Sequence, residues 1–145
     1  MPRKIEGPLL LDTHVWIWAV EDVPGRLSPS ILRAIDRAAS DGELYVSAIS
    51  VWEIGTLLGK GRLAFSMEFD DWLKATRRPP GALVEPVTPE IALDSTALPN
   101  FFHGDPADRI IVATARALNA GLVTRDRRIL KYGEEGHLLT YDPAP

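Results

Sequence analysis

A chain of 145 residues, 46% hydrophobic and 25% charged, has the length and composition of one globular domain, and the absence of cysteine excludes both a disulfide framework and thiolate metal sites. The formal net charge of −4 argues against a binder that holds nucleic acid through basic surface alone. No apolar run approaches the length of a membrane span, and Leu9-Leu10-Leu11 is too short for a signal-peptide core, so the expected setting is the cytoplasm, with no membrane partner.

In chain order, Pro8 to Asp12 reads as a short strand buried on both faces, followed directly by a helix over His14 to Val20. Pro24-Gly25 breaks the pattern. Ser28-Pro29 is an N-cap with proline at the first helical position, and the helix it starts runs to about Ser40. Leu44 to Ser47 is a second strand. Ser50 and Glu53 have the spacing of a capping box at the start of a helix that ends at Gly59 or Gly61. A further helix covers Phe69 to Arg77, and Pro79-Pro80-Gly81 terminates it.

Leu83 to Val87 is a predicted strand, and Thr88-Pro89-Glu90 opens a helix to about Leu98. After a loop from Asn100 to Gly104, Asp105 caps a strongly apolar helix from Pro106 to about Asn119. Gly121 to Thr124 is a buried strand, Asp126 caps a short helix over Arg127 to Tyr132, and Leu138 to Tyr141 is a final strand. Short apolar strands alternating with helices predict an α/β fold with a mostly parallel sheet, in which ligands bind beyond the carboxyl ends of the strands.

That edge collects acids. Asp12 ends the first strand, Glu53 lies on the helix after the second, Asp108 lies in the first turn of its helix, and Asp126 follows the strand ending at Thr124. Asp105 is a less certain fifth. Each has a sufficient structural explanation as a helix cap or a first-turn acid. Together, four carboxylates at one edge would repel one another unless a cation held them, and hard oxygen donors suit Mg²⁺ or Mn²⁺. Bound cations would also offset part of the negative charge. The basic residues are grouped, at Lys60-Arg62, Arg77-Arg78 and Arg125-Arg127-Arg128-Lys131, although a solvated helix face is the better explanation of any single cluster.

Other chemistries lack their residues. There is no Gly-rich phosphate loop, no serine-nucleophile motif and no histidine pair at zinc spacing. His14, His103 and His137 stand alone and read as structural or substrate-facing. A phosphoaspartate receiver would also place acids on a parallel sheet, but it has no need of Glu53 and Asp108 at helix starts.

Leu9-Leu10-Leu11-Asp12-Thr13-His14-Val15-Trp16, Val46 to Ile54, Gly59 to Leu63, His103 to Ala115 and Leu122-Val123-Thr124-Arg125-Asp126 occur in the order of a known family. The chain resembles the VapC-type PIN-domain ribonucleases, the toxin halves of VapBC toxin–antitoxin pairs, over roughly residues 9 to 141. The resemblance implies a three-layer α/β/α PIN-like fold and a Mg²⁺- or Mn²⁺-dependent endoribonuclease. It maps the family's acidic quartet, catalytic and metal-binding, onto Asp12, Glu53, Asp108 and Asp126. Thr13 and Thr124 would position water or substrate, Asp105 would remain a cap, and Arg109 would either pair with an acid or contact phosphate. It implies a homodimer, an RNA substrate and a cognate VapB-like antitoxin, with operator DNA reached only through that antitoxin. Trp16, Trp18, Trp52 and Trp72 are candidates for the partner surfaces, although a buried core position explains each of them individually. Two alternatives stand beside this: a non-catalytic interaction module in which the acids only cap helices, and a nuclease acting on single-stranded or flapped DNA.

Overall fold

The computed structural model describes residues 4–100 and 104–145. His103 and the middle of the loop after Asn100 lie outside the described residues. The chain runs β1 (Leu9–Leu11), α1 (Thr13–Val20), α2 (Pro29–Ser40), β2 (Leu44–Ser47), α3 (Ala48–Gly59), α4 (Phe69–Arg77), β3 (Leu83–Glu85), α5 (Pro89–Ser95), α6 (Pro106–Leu118), β4 (Gly121–Val123), α7 (Arg127–Glu134) and β5 (Thr140–Tyr141). The strands form one sheet in the order β3-β2-β1-β4-β5, and every neighbouring pair is parallel. The sheet is therefore wholly parallel among the described residues, where the sequence predicts a mostly parallel one.

β1 lies at the centre, and its side chains alternate between two cores. Leu9 and Leu11 pack with Val46 and Val123 against α1, α2 and α4 on one face, through residues such as Trp16, Ile35 and Trp72. Leu10 and Leu122 pack against α5, α6 and α7 on the other, through Ile91, Ile111 and Ile129. Two apolar faces need two layers of cover, which makes the architecture α/β/α. Trp72 is held in the first core by Trp16 at 5.0 Å and by Phe65 stacked at 4.6 Å. Trp16 and Trp72 are thus core residues, Trp18 is half-buried, and Trp52 is 64% exposed.

Helix starts follow the sequence to within a residue (α1 begins at Thr13 rather than His14), with one correction. Asp12, Ser28, Thr88, Asp105 and Asp126 all accept backbone N–H groups as N-caps. The capping box at Ser50 and Glu53 is not formed. Helix α3 begins three residues earlier, at Ala48, and Ser47 is its N-cap, accepting from the Ile49 N–H at 3.1 Å. Ser50 is instead a buried residue of the first turn. The strands are shorter than the apolar runs that predict them: β3 stops at Glu85 and β5 begins at Thr140. Helix α5 stops at Ser95 rather than near Leu98, while α7 continues two residues beyond Tyr132.

Candidate active site

The carboxyl ends of β1, β2 and β4 bring the predicted acids together. Asp12 directly follows β1, and its backbone N–H donates to the Val123 carbonyl of β4 at 3.0 Å. Its two carboxylate oxygens have different partners. Oδ1 caps α1 through the Thr13 N–H at 2.9 Å, and Oδ2 accepts the Thr124 hydroxyl at 2.6 Å. Thr124 Oγ1 also accepts the Asp126 N–H at 3.0 Å, so one hydroxyl links the acid after β1 to the acid after β4.

A second relay runs from α1 to α3. The Thr13 hydroxyl donates to Glu53 Oε1 at 2.5 Å and lies 2.7 Å from the Ser50 hydroxyl. Ser50 and Glu53 are three residues apart and share one face of α3, so the buried serine lies beneath the acid that Thr13 holds. The sequence reading assigned Ser50 to a cap. The signal that finds it is this spacing, once the helix is known to start at Ala48.

Asp105 caps α6 through the Ala107 N–H at 2.7 Å, with Pro106 at the first helical position, and Asp108 follows in the first turn. Arg109 donates to the Ser95 carbonyl at 3.2 Å, tying the start of α6 to the end of α5. Asp126 accepts from the N–H groups of Arg128 and Ile129, at 2.8 and 3.2 Å, and caps α7.

All five carboxylates, Asp12, Glu53, Asp105, Asp108 and Asp126, line one cavity of about 370 Å³, with Thr13, His14, Trp18 and Arg125 on its walls. Asp105 is therefore both the cap and a wall of the cavity. The charges act on one another. Burial, reinforced by the carboxylates of Asp12, Asp126, Asp105 and Glu53, pushes Asp108 up to about 7. Burial also raises Asp12, against the opposing bond from Thr124, and raises Glu53, against the opposing bond from Thr13. Among the described residues, no three His, Cys, Asp or Glu side chains are grouped closely enough to ligate one ion directly. A larger cavity, of about 590 Å³, lies at the opposite end of the strands. Its walls mix charges, and Arg37 is already engaged there by Glu43 and the Gly7 carbonyl.

A parallel α/β/α sheet with acids at the carboxyl ends of its central strands defines a class of folds that bind ligands at that edge. Residues 9–135 match the PIN-domain family model, and the chain belongs to that family. It is 39% identical over 121 residues to Ribonuclease VapC22 of Mycobacterium tuberculosis (strain ATCC 25618 / H37Rv), covering 83% of this chain and 88% of that protein. Among solved structures, the fold resembles VapBC2 from Rickettsia felis bound to a DNA fragment from its promoter, with a TM-score of 0.67, 16% identity, and coverage of 93% of this chain and 98% of that one. It also resembles FitAcB from Neisseria gonorrhoeae, with a TM-score of 0.56, 22% identity, and coverage of 93% and 97%. Among the described residues, no helix is long and apolar enough to cross a membrane.

Proposed function

We propose that the protein is an endoribonuclease of the VapC type, the toxin half of a toxin–antitoxin pair, hydrolysing RNA phosphodiester bonds in the acidic cavity. The observation that carries this reading is that Glu53 and Asp108 cap no helix, yet they converge with Asp12 and Asp126 on one cavity where burial and mutual repulsion raise Asp108 to about 7. The helix dipole accounts for Asp108 in the first turn of α6, but a purely structural set of caps has no use for Glu53, well inside α3. The 39% identity to a ribonuclease supports the same activity.

The donor set fits a hard divalent cation. It offers only oxygen, its charges need neutralising, and Mg²⁺ commonly binds through one or two carboxylates while keeping several waters, which accords with the looseness of the cluster. Asp12, Glu53, Asp108 and Asp126 would hold Mg²⁺ or Mn²⁺, directly or through water. When bound, the ion supplies an activated water and charge stabilisation at the scissile phosphate. The protein's own part is positional. Thr124 fixes one oxygen of Asp12, and Thr13 fixes one oxygen of Glu53. Through these acids the two threonines would position water or substrate. Arg109, bonded to Ser95, keeps the first turn of α6 and with it Asp108 in place. The partners that accord with this reading are a VapB-like antitoxin, which would bring the pair to operator DNA, and a second copy of the chain.

The test is cleavage of a defined RNA by the purified chain with Mg²⁺ or Mn²⁺, beside DNA of the same sequence. Asp12→Asn and Asp108→Asn should each lower the rate by about a hundredfold or more while leaving the thermal transition cooperative. An Asp12→Asn protein that cuts at the wild-type rate would overturn the mechanism.

A further inference from the structure

The acidic cavity holds five carboxylates, so that apart from Arg125 and a bound cation it offers a polyanion little to grip, and further contacts would come from its rim. One side of that rim is an aromatic and cationic ledge that the catalytic reading does not use. Trp16 points into the core at 1% exposure, whereas Trp18, two residues on, is half-buried and lines the cavity. His14, one helical turn before it, also lines the cavity, with its ring centroid 6.1 Å from that of Trp18. The chain then turns back on itself. The Val23 N–H donates to the Trp18 carbonyl at 3.1 Å, and Asp22 (φ 51°) and Gly25 (φ 76°) adopt left-handed backbone. This turn returns Arg26 over the indole, with Cζ 5.2 Å from the ring centroid.

We infer that Trp18, with Arg26 and His14 beside it, forms a nucleobase-stacking subsite for single-stranded RNA at the edge of the acidic cavity. The inference rests on the ribonuclease reading and names how that same site holds its substrate. Aromatic side chains with cations beside them are a common way of gripping unpaired nucleotides, because every base offers a π face and the cations meet the backbone. Arg26 yields the ring face to the base and takes the flanking phosphate. Arg125, on another part of the wall, supplies a second cation for the backbone. Stacking thus places one base beside the carboxylates and sets the register of the scissile bond.

The experiment uses the full chain carrying Asp108→Asn, in which cleavage should be slowed about a hundredfold or more, and a short fluorescein-labelled single-stranded RNA read by anisotropy. Adding Trp18→Ala should weaken binding about tenfold, and Trp18→Phe should retain most of the affinity. A set of RNAs, each lacking one base, should show a loss of about tenfold at one position with Trp18 present and no loss there in Trp18→Ala. Arg26→Gln should reduce the slope of log affinity against log salt by about 0.7. Equal binding by Trp18→Ala, or the same base-specific loss in both proteins, overturns the subsite. RNA cut normally by the otherwise wild-type Trp18→Ala protein, with unchanged KM, overturns the subsite while leaving the ribonuclease reading intact. The same Trp18-dependent stacking on single-stranded DNA alone would keep the subsite and overturn the ribonuclease reading.

Discussion

At the scale of single residues, the site is a set of carboxylates whose free oxygens are rationed by hydroxyls. Thr124 and Thr13 each donate to one acid of the cavity and accept from, or lie against, a second polar group. Loss of such an orienting partner commonly costs 10–100-fold in metal affinity or activity, roughly, so Thr124→Val should slow RNA cleavage by about that range without destroying the fold. Steady-state rates with Mn²⁺ titrated at fixed RNA would check it, the expected signature being a higher Mn²⁺ requirement. Asp108 makes a second prediction, for metal-free protein. Its native pKa of about 7 lies above the ordinary 3.8, so the native state binds the proton more tightly than the unfolded state does. The stability this contributes is fully present below pH 3.8 and is lost as pH rises through about 7. Wild type and Asp108→Asn should therefore melt at similar temperatures near pH 4, and the variant should be the more stable of the two above pH 7. Thermal melts in chelator across that range would show whether the two curves diverge in that direction.

At the scale of elements, the helix starts were legible because capping chemistry is local. Ser28-Pro29, Thr88-Pro89 and Asp105-Pro106 each mark a helix to the residue. The start of α3 was not, because Ser47 and Ser50 both offer a hydroxyl and only tertiary packing against Thr13 decides between them. Strand ends were also obscured. Apolar residues such as Leu138 and Val87 continue the hydrophobic run beyond the paired strand because they pack on the second core from loops. β4 shows how close the elements lie. A Cβ placed on Gly121 would come within 2.5 Å of the Tyr141 ring from the neighbouring strand. Gly121→Ala should lower stability by about 1–3 kcal/mol, the usual cost of overfilling a packed core, measurable as a shift in the denaturant midpoint. An unchanged midpoint would mean that β5 can move aside freely.

At the scale of the whole molecule, fold class and acidic edge were both readable from alternating strands and helices, because Asp12 and Asp126 follow strands, Asp105 and Asp108 open a helix, and Glu53 lies on the helix that follows β2. The sequence could not supply the convergence itself. Asp105 and Asp126 are real caps and also walls of the cavity, so the structural and chemical explanations of these residues hold together. Nor could it order the sheet, which decides that Asp12 and Thr124 meet. If the cluster is a cation site, Mn²⁺ should raise the melting temperature of the intact protein, by mass action on the native state, and the rise should vanish in Glu53→Gln. Differential scanning fluorimetry with and without Mn²⁺ distinguishes this from a site of caps alone, which predicts no shift in either protein.

The insertion of β4 beside β1 has a consequence for how the protein comes into being. The bond from Thr124 to Asp12 closes a separation of 112 residues, and β1 is flanked by β2 on one side and by β4 on the other. A chain emerging from the ribosome can pair β1 with β2 early, but one side of its central strand stays open until β4 has been made. The acid after β1 gains its orienting hydroxyl only then. A growing chain therefore carries no finished acidic cluster until Thr124 and Asp126 have been made, however long β1 and β2 have already been paired.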